Sequence, residues 1–294
     1  MISAAWVQRR LVNLAIGVPL GLLVGAAMIR LFENRMIFHP PPYPVGFAAP
    51  EAYGLRAEEV WLTTADGVRL NAWFFPHNPS SRVLLCFHGN AENIGMGLGR
   101  VKMFSVLGVN LFAVDYRGYG KSEGSPDEAG VYRDAEAAYR YLTKTRGFKP
   151  RDVIIFGNSL GGAVAIDLAS RVECGGLIVE STFTSARALG QHVLLIPLYA
   201  YVPKSRFDSI TKIAKVRAPV MVLHGTRDEL IPFAMGEKLF RAAREPKQLV
   251  PVQGAGHNDV LLVGGTRYVE TLREFLSGPP NGGAVNAHAL IKAN

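Results

Sequence analysis

Cysteine and tryptophan are scarce in this sequence, two and three among 294 residues. Cys86 and Cys174 make no disulfide framework, and each is expected to serve as a small buried hydrophobe. No group of histidine, cysteine and acidic residues has the spacing of metal ligands, so neither a metal nor another cofactor is expected. Lysine and arginine exceed aspartate and glutamate by 32 to 24, a net charge of +8. The basic residues are scattered, with no aromatic-interleaved run and no zinc-finger spacing. That disfavours a nucleic-acid partner and leaves attraction to an anionic membrane surface open. No internal repeat is present.

Charge is also missing from one long stretch. Leu11 to Ile29, LVNLAIGVPLGLLVGAAMI, is uncharged over 19 residues. As a helix it covers about 28 Å, enough to cross a hydrocarbon core. Arg9 and Arg10 precede it, and Arg30, Glu33 and Arg35 follow. Gly25-Ala26-Ala27 resembles a signal-peptidase site, but the apolar run is longer than a usual signal core. We read residues 1–35 as an uncleaved single-pass anchor. The membrane face of the remaining chain is undecided, because two arginines lie close on each side. Residues 36–50 hold five prolines and read as an extended linker.

Residues 51–277 are expected to form one domain. Its hydrophobic content suffices for a substantial core, and strands alternate with helices as in an α/β fold. Val60–Thr64 and Val68–Phe75 read as strands joined through the hairpin signal Asp66-Gly67. Val83–Phe87, Asn110–Val114, Val153–Phe156, Gly176–Glu180, Val220–Leu223 and Gln248–Val252 are short apolar runs suited to a buried parallel sheet. Helices are expected from Asp127 to Arg146, from Gly162 onward, around Glu237–Ala243 and from Asp259 to Leu276. Residues 182–217 interrupt the alternation and read as a cap insertion. Its apolar part, HVLLIPLYAYV with Leu195 and Tyr199, and its cations Lys204, Arg206, Lys212, Lys215 and Arg217 suit a lid over an acyl pocket beside anionic headgroups. Ordinary core packing is the alternative. Residues 278–294 read as a flexible tail.

The chemistry centres on Gly157-Asn158-Ser159-Leu160-Gly161, placed between a strand and an alanine-rich helix. A Gly-x-Ser-x-Gly run in that context holds its serine on a tight turn with the hydroxyl exposed. A serine hydroxyl is a weak nucleophile and needs a histidine base and an orienting acid. Two later loops leave carboxyl ends of strands, His224-Gly225-Thr226-Arg227-Asp228-Glu229 and Gly256-His257-Asn258-Asp259. Asp228 is therefore the expected acid and His257 the base, with Glu229 as the competing acid. Asp259 reads as a helix-start residue, and His88 and His224 as braces of their turns. His39, His77, His192 and His288 do not follow the last strand. The backbone N–H groups of Leu160 and Asn90 are the expected oxyanion donors, with bracing of the loop by the Asn90 side chain as the alternative for Asn90.

His88-Gly89-Asn90-Ala91-Glu92-Asn93, Asp115-Tyr116-Arg117-Gly118-Tyr119-Gly120, the Ser159 motif, His224-Gly225-Thr226-Arg227-Asp228 and Gly256-His257 together resemble the α/β-hydrolase superfamily. More narrowly they are similar to a depalmitoylase-like branch that often carries an N-terminal membrane segment. The resemblance covers Val60 to Leu276 and implies an eight-stranded, mostly parallel sheet flanked by helices and a serine-histidine-acid triad. It also implies hydrolysis of acyl esters, thioesters or amides, with lipid or lipidated substrates among them. A peptidase using the same triad and a non-catalytic membrane-tethered binding protein are the competing functions. A dehalogenase or epoxide hydrolase would need a carboxylate at Ser159.

Overall fold

The structure, a computed structural model, describes residues 4–77, 79–194 and 203–278. Among them eight strands form one sheet: β1 (Glu58–Thr63), β2 (Arg69–Phe75), β3 (Val83–Phe87), β4 (Asn110–Val114), β5 (Val153–Asn158), β6 (Gly176–Glu180), β7 (Val220–Gly225) and β8 (Lys247–Val252). The order across the sheet is β1-β2-β4-β3-β5-β6-β7-β8. β1 and β2 pair antiparallel through a turn in which Gly67 has φ 83°, and β2 pairs antiparallel with β4. The remaining pairs are parallel. Unbroken apolar runs such as Val83–Phe87 form the central strands because both faces of the sheet are covered.

The helices are α1 (Ala4–Ile37), α2 (Leu98–Phe104), α3 (Glu128–Arg140), α4 (Leu160–Ala169), α5 (Ala186–Val193), α6 (Ser209–Ile213), α7 (Phe233–Ala242) and α8 (Val260–Leu276). One core cluster joins α3, α4, α6 and α7 to the sheet, and a second joins α2 and α8 to its other face. Every residue of α4 is buried, so its side chains show no polar face.

Two segments differ from what the sequence suggests. Helix α1 continues to Ile37, and the proline-rich stretch after it lies against the domain. Phe38 is buried, and Phe47 packs edge-on against Trp73 with ring centroids 5.2 Å apart. Aromatic residues among prolines give this stretch an apolar surface that a free spacer would leave in water.

The insertion divides in two. Helix α5 buries no side chain. Residues 195–202, with Leu195 and Tyr199, lie outside the described residues, as does the tail from 279 onward. The returning limb is core: Phe207, Ile213 and Val216 are fully buried among α4 and its neighbours. Lys212 pairs with Asp167 at 2.7 Å and lies 4.0 Å from the Tyr132 ring centroid. Lys215 and Arg217 line a cavity of about 870 Å³ with the end of α4. That cavity lies just ahead of β6 and β7, at the amino edge of the sheet, because the limb must cross the sheet's whole length to start β7. These three cations are thus not grouped around an acyl pocket at the opposite edge.

Candidate active site

Ser159 joins β5 to α4 with φ 52° and ψ −116°. A residue with a Cβ in that region carries about 1–3 kcal/mol of strain and persists only when its surroundings over-determine it. Here three hydrogen bonds fix the turn. The Ser159 N–H donates to the Glu180 carbonyl at 2.9 Å, and the Ser159 carbonyl accepts from the Gly162 N–H at 3.0 Å and the Thr182 hydroxyl at 2.7 Å. The flanking glycines are required by close approach. A Cβ at Gly157 would lie 2.1 Å from the Gly161 carbonyl oxygen, and one at Gly161 would lie 2.2 Å from the Phe87 carbonyl oxygen.

The structure brings Ser159, His257 and Asp228 into one hydrogen-bonded chain. His257 Nε2 is 3.0 Å from Ser159 Oγ, and His257 Nδ1 is 2.8 Å from Asp228 Oδ2. With the proton on Nδ1 donated to Asp228, Nε2 is free to accept the Ser159 hydroxyl proton. Asp228 is buried and its other oxygen accepts the N–H groups of Leu230 and Ile231 at 3.0 and 2.7 Å. Burial alone would raise its pKa, but bonds from His224, His257 and the Ile231 N–H outweigh it and hold the carboxyl well below its ordinary range. Glu229, the competing acid in the sequence, is exposed. Such a chain can draw a proton from a serine as it attacks an acyl carbon and return it to a leaving group.

The other expected residues fall into supporting positions. Leu160 is the first residue of α4, where a backbone N–H has no intrahelical acceptor. Asn90 lies just beyond β3, beside the elbow: a Cβ at Gly89 would sit 3.0 Å from Asn158 Oδ1. His224 Nε2 bonds the Ile231 carbonyl at 2.8 Å and so braces the acid's turn. Asp259 precedes α8, but its carboxylate reaches back to the Gly256 N–H at 2.6 Å and shapes the turn before His257. His88 packs between Tyr116 and Tyr119, with Nδ1 2.7 Å from the Gly89 carbonyl and Nε2 3.3 Å from Asp115 Oδ1. Burial would lower its pKa, yet the Asp115 carboxylate beside it prevails and the net shift is upward.

A network beneath the elbow escaped the sequence reading. The Glu180 carboxylate, 1% exposed, accepts from Asn158 Nδ2 at 2.9 Å, from Arg100 at 2.8 Å and from the Tyr268 hydroxyl. The available signal was one acidic residue closing the otherwise apolar run Gly-Leu-Ile-Val-Glu. Among the described residues no group of His, Cys, Asp and Glu is arranged to hold a metal ion.

A family model described as Hydrolase_4, serine aminopeptidase S33, matches residues 78–210. An uncharacterised protein of Mycobacterium tuberculosis is 37% identical over 249 residues, covering 83% of this chain and 87% of its own length. Human alpha/beta hydrolase domain-containing protein 17B is 38% identical over 224 residues, covering 75% of this chain and 76% of its own. An esterase of Pyrococcus furiosus shares the fold with TM-score 0.69 at 20% identity, over 82% of this chain and 97% of that one. By the identity and coverage of these relatives, and by the strand order and elbow that it shares with the fold, the chain belongs to the α/β-hydrolase family.

Proposed function

We propose that this hydrolase is a membrane-anchored serine enzyme that cleaves carboxylic esters or thioesters through an acyl-enzyme on Ser159. One observation carries the reading: the strained Ser159 hydroxyl lies 3.0 Å from a histidine nitrogen whose partner nitrogen bonds a buried carboxylate. Ser159 Oγ attacks the acyl carbon while His257 takes its proton, and Asp228 holds the imidazole tautomer and the cation that forms. The N–H groups of Leu160 and Asn90 bind the oxyanion. His257 passes the proton to the leaving alcohol or thiol, and water, deprotonated by His257, releases the acid.

The anchor rests on α1. Within Trp6–Ile37 an 18-residue window has a mean hydropathy of 2.1, and Leu11, Leu14, Ile16, Leu20 and Leu23 are each more than half exposed. A bilayer would cover what the domain leaves bare. Full-length protein is expected to remain with membranes through a carbonate wash and to retain Met1 or Ile2. Release into the wash, or a mature chain starting near Met28, would show that residues 1–35 are not an anchor.

The family description favours one second reading, an amidase or peptidase with the same residues. Purified full-length protein in detergent should hydrolyse p-nitrophenyl esters and acyl thioesters, and Ser159→Ala should not. A fluorophosphonate probe should label the wild type alone. Turnover of aminoacyl p-nitroanilides without ester turnover would select the peptidase, and equal labelling of wild type and Ser159→Ala would remove Ser159 as the nucleophile.

A further inference from the structure

The end of α1 does more than lead into the domain. Asn90, in the loop after β3, has all four hydrogen-bonding positions of its side-chain amide filled. Nδ2 donates to the Ile37 carbonyl at 2.6 Å and to His39 Nδ1 at 3.2 Å. Oδ1 accepts from the His39 N–H at 3.1 Å and from the Tyr119 hydroxyl at 2.8 Å. Three of these four partners belong to residues 37–39, about fifty positions away in the chain. A side chain held on every donor and acceptor cannot turn without breaking several bonds, so its own backbone N–H is held with it.

The same short segment grips the opposite wall. Glu33, the buried acid of α1, accepts the Lys204 N–H at 2.6 Å and the Ser205 N–H and hydroxyl at 3.3 Å each. Phe38 packs edge-on against Phe207 with centroids 6.0 Å apart. A carboxylate buried on the end of an apolar helix has a desolvation cost that only such partners offset. The loop after β3 and the returning limb of the insertion are therefore both fastened to residues 33–39.

We propose that Glu33, Phe38 and His39 are positioning residues of the hydrolytic site, with His39 and the Ile37 carbonyl fixing Asn90 so that its N–H meets the oxyanion. This rests on the reading of Asn90 as an oxyanion donor. Through these residues the helix enters the fold at the carboxyl edge of the sheet, where Ser159 and His257 lie. The membrane helix and the oxyanion loop form one mechanical unit, and whatever shifts the helix end shifts the loop.

The test uses full-length protein in detergent with Asn90→Ala, His39→Ala and the double variant, measured with a p-nitrophenyl ester. Asn90→Ala keeps the backbone N–H and loses only its fastening. Its kcat should fall about 10- to 100-fold with KM and Tm little changed, in the range of a displaced oxyanion donor. Affinity for a trifluoromethyl ketone, which forms an oxyanion on the serine, should fall by the same factor, a change that a merely structural role would not produce. His39→Ala, at an exposed position that should fold in any case, should lose several-fold in kcat. The double variant should be no worse than Asn90→Ala, because His39 acts through Asn90. Unchanged kcat in both single variants, losses that follow Tm or KM, or losses that multiply would overturn the proposal. Absence of ester and thioester hydrolysis or of probe labelling in the wild type would instead overturn the esterase reading beneath it.

Discussion

The N–H of Ser159 donates to the carbonyl of Glu180 at 2.9 Å, so the last residue of β6 supports the elbow at the end of β5. The Glu180 side chain extends this support by holding Asn158, the residue before the serine.

Removing that carboxylate leaves the Arg100 guanidinium without its counter-charge. Burial opposes the charge of Arg100, but Glu180 keeps its pKa above the ordinary guanidinium value. Breaking one side of such a pair typically costs about 3–5 kcal/mol. Arg100 keeps some exposure, so Glu180→Gln is expected at the low end, about 3 kcal/mol in urea denaturation. A change below about 0.5 kcal/mol would mean that the network does not support the fold.

Strain at Ser159 gives a second expectation. Its φ of 52° with ψ −116° suits glycine better than any residue with a Cβ. Ser159→Gly should therefore exceed Ser159→Ala in stability by about 1 kcal/mol, with both inactive. Equal unfolding midpoints for the two variants would place the strain elsewhere.

Asp228 links activity to acid stability. Its folded carboxyl sits below the unfolded value, so the folded state holds fewer protons in mildly acidic solution. The stability it contributes is complete above the unfolded pKa, near 4, and is lost as pH falls toward the folded one. Asp228→Asn should flatten this acid limb in denaturation between about pH 5 and 3 and lower kcat by about 10⁴-fold. Exposed Glu229→Gln should change neither. An inactive Glu229→Gln beside an active Asp228→Asn would reverse the assignment of the acid.

Much of this arrangement is legible in the sequence because it is local. Val83–Phe87, Asn110–Val114 and Gly176–Glu180 read as strands with their observed bounds, since apolar β-rich runs between turn signals have few other outcomes. The order of Ser159, Asp228 and His257 follows the order in which strands end at one edge. What is not legible is contact between distant segments. Nothing around Phe207, Ile213 or Val216 tells a lid from a core limb, because both need the same apolar residues. The five prolines of residues 36–50 suggest a spacer, and only Trp73 and Phe207 reveal why Phe47 and Phe38 are there. The partners of Asn90 at Ile37 and His39 leave no periodic trace at all.

The last expectation concerns the loop that carries Asn90. His88 faces Asp115 on β4's carboxyl side, the further charge acting on it from its own loop is that of Glu92, and Tyr116 and Tyr119 cover its ring. Nδ1 donates to the Gly89 carbonyl, while the buried Nε2 has no hydrogen-bond partner and lies at ion-pair distance, 3.3 Å, from Asp115 Oδ1, whose charge holds the folded pKa above the ordinary histidine value. The sign follows from that elevation. The folded state holds the proton more tightly than the unfolded chain, so the contribution is complete below about pH 6.5 and is lost as pH rises through the folded pKa. Asp115→Asn removes the charge that retains the proton. Wild-type Tm should therefore decline from pH 6.5 to 9 more steeply than that of Asp115→Asn, groups common to both proteins cancelling in the difference. Parallel pH profiles for the two proteins would show that His88 is neutral in the fold, and the loop would then be held by its hydrogen bonds without a buried charge pair.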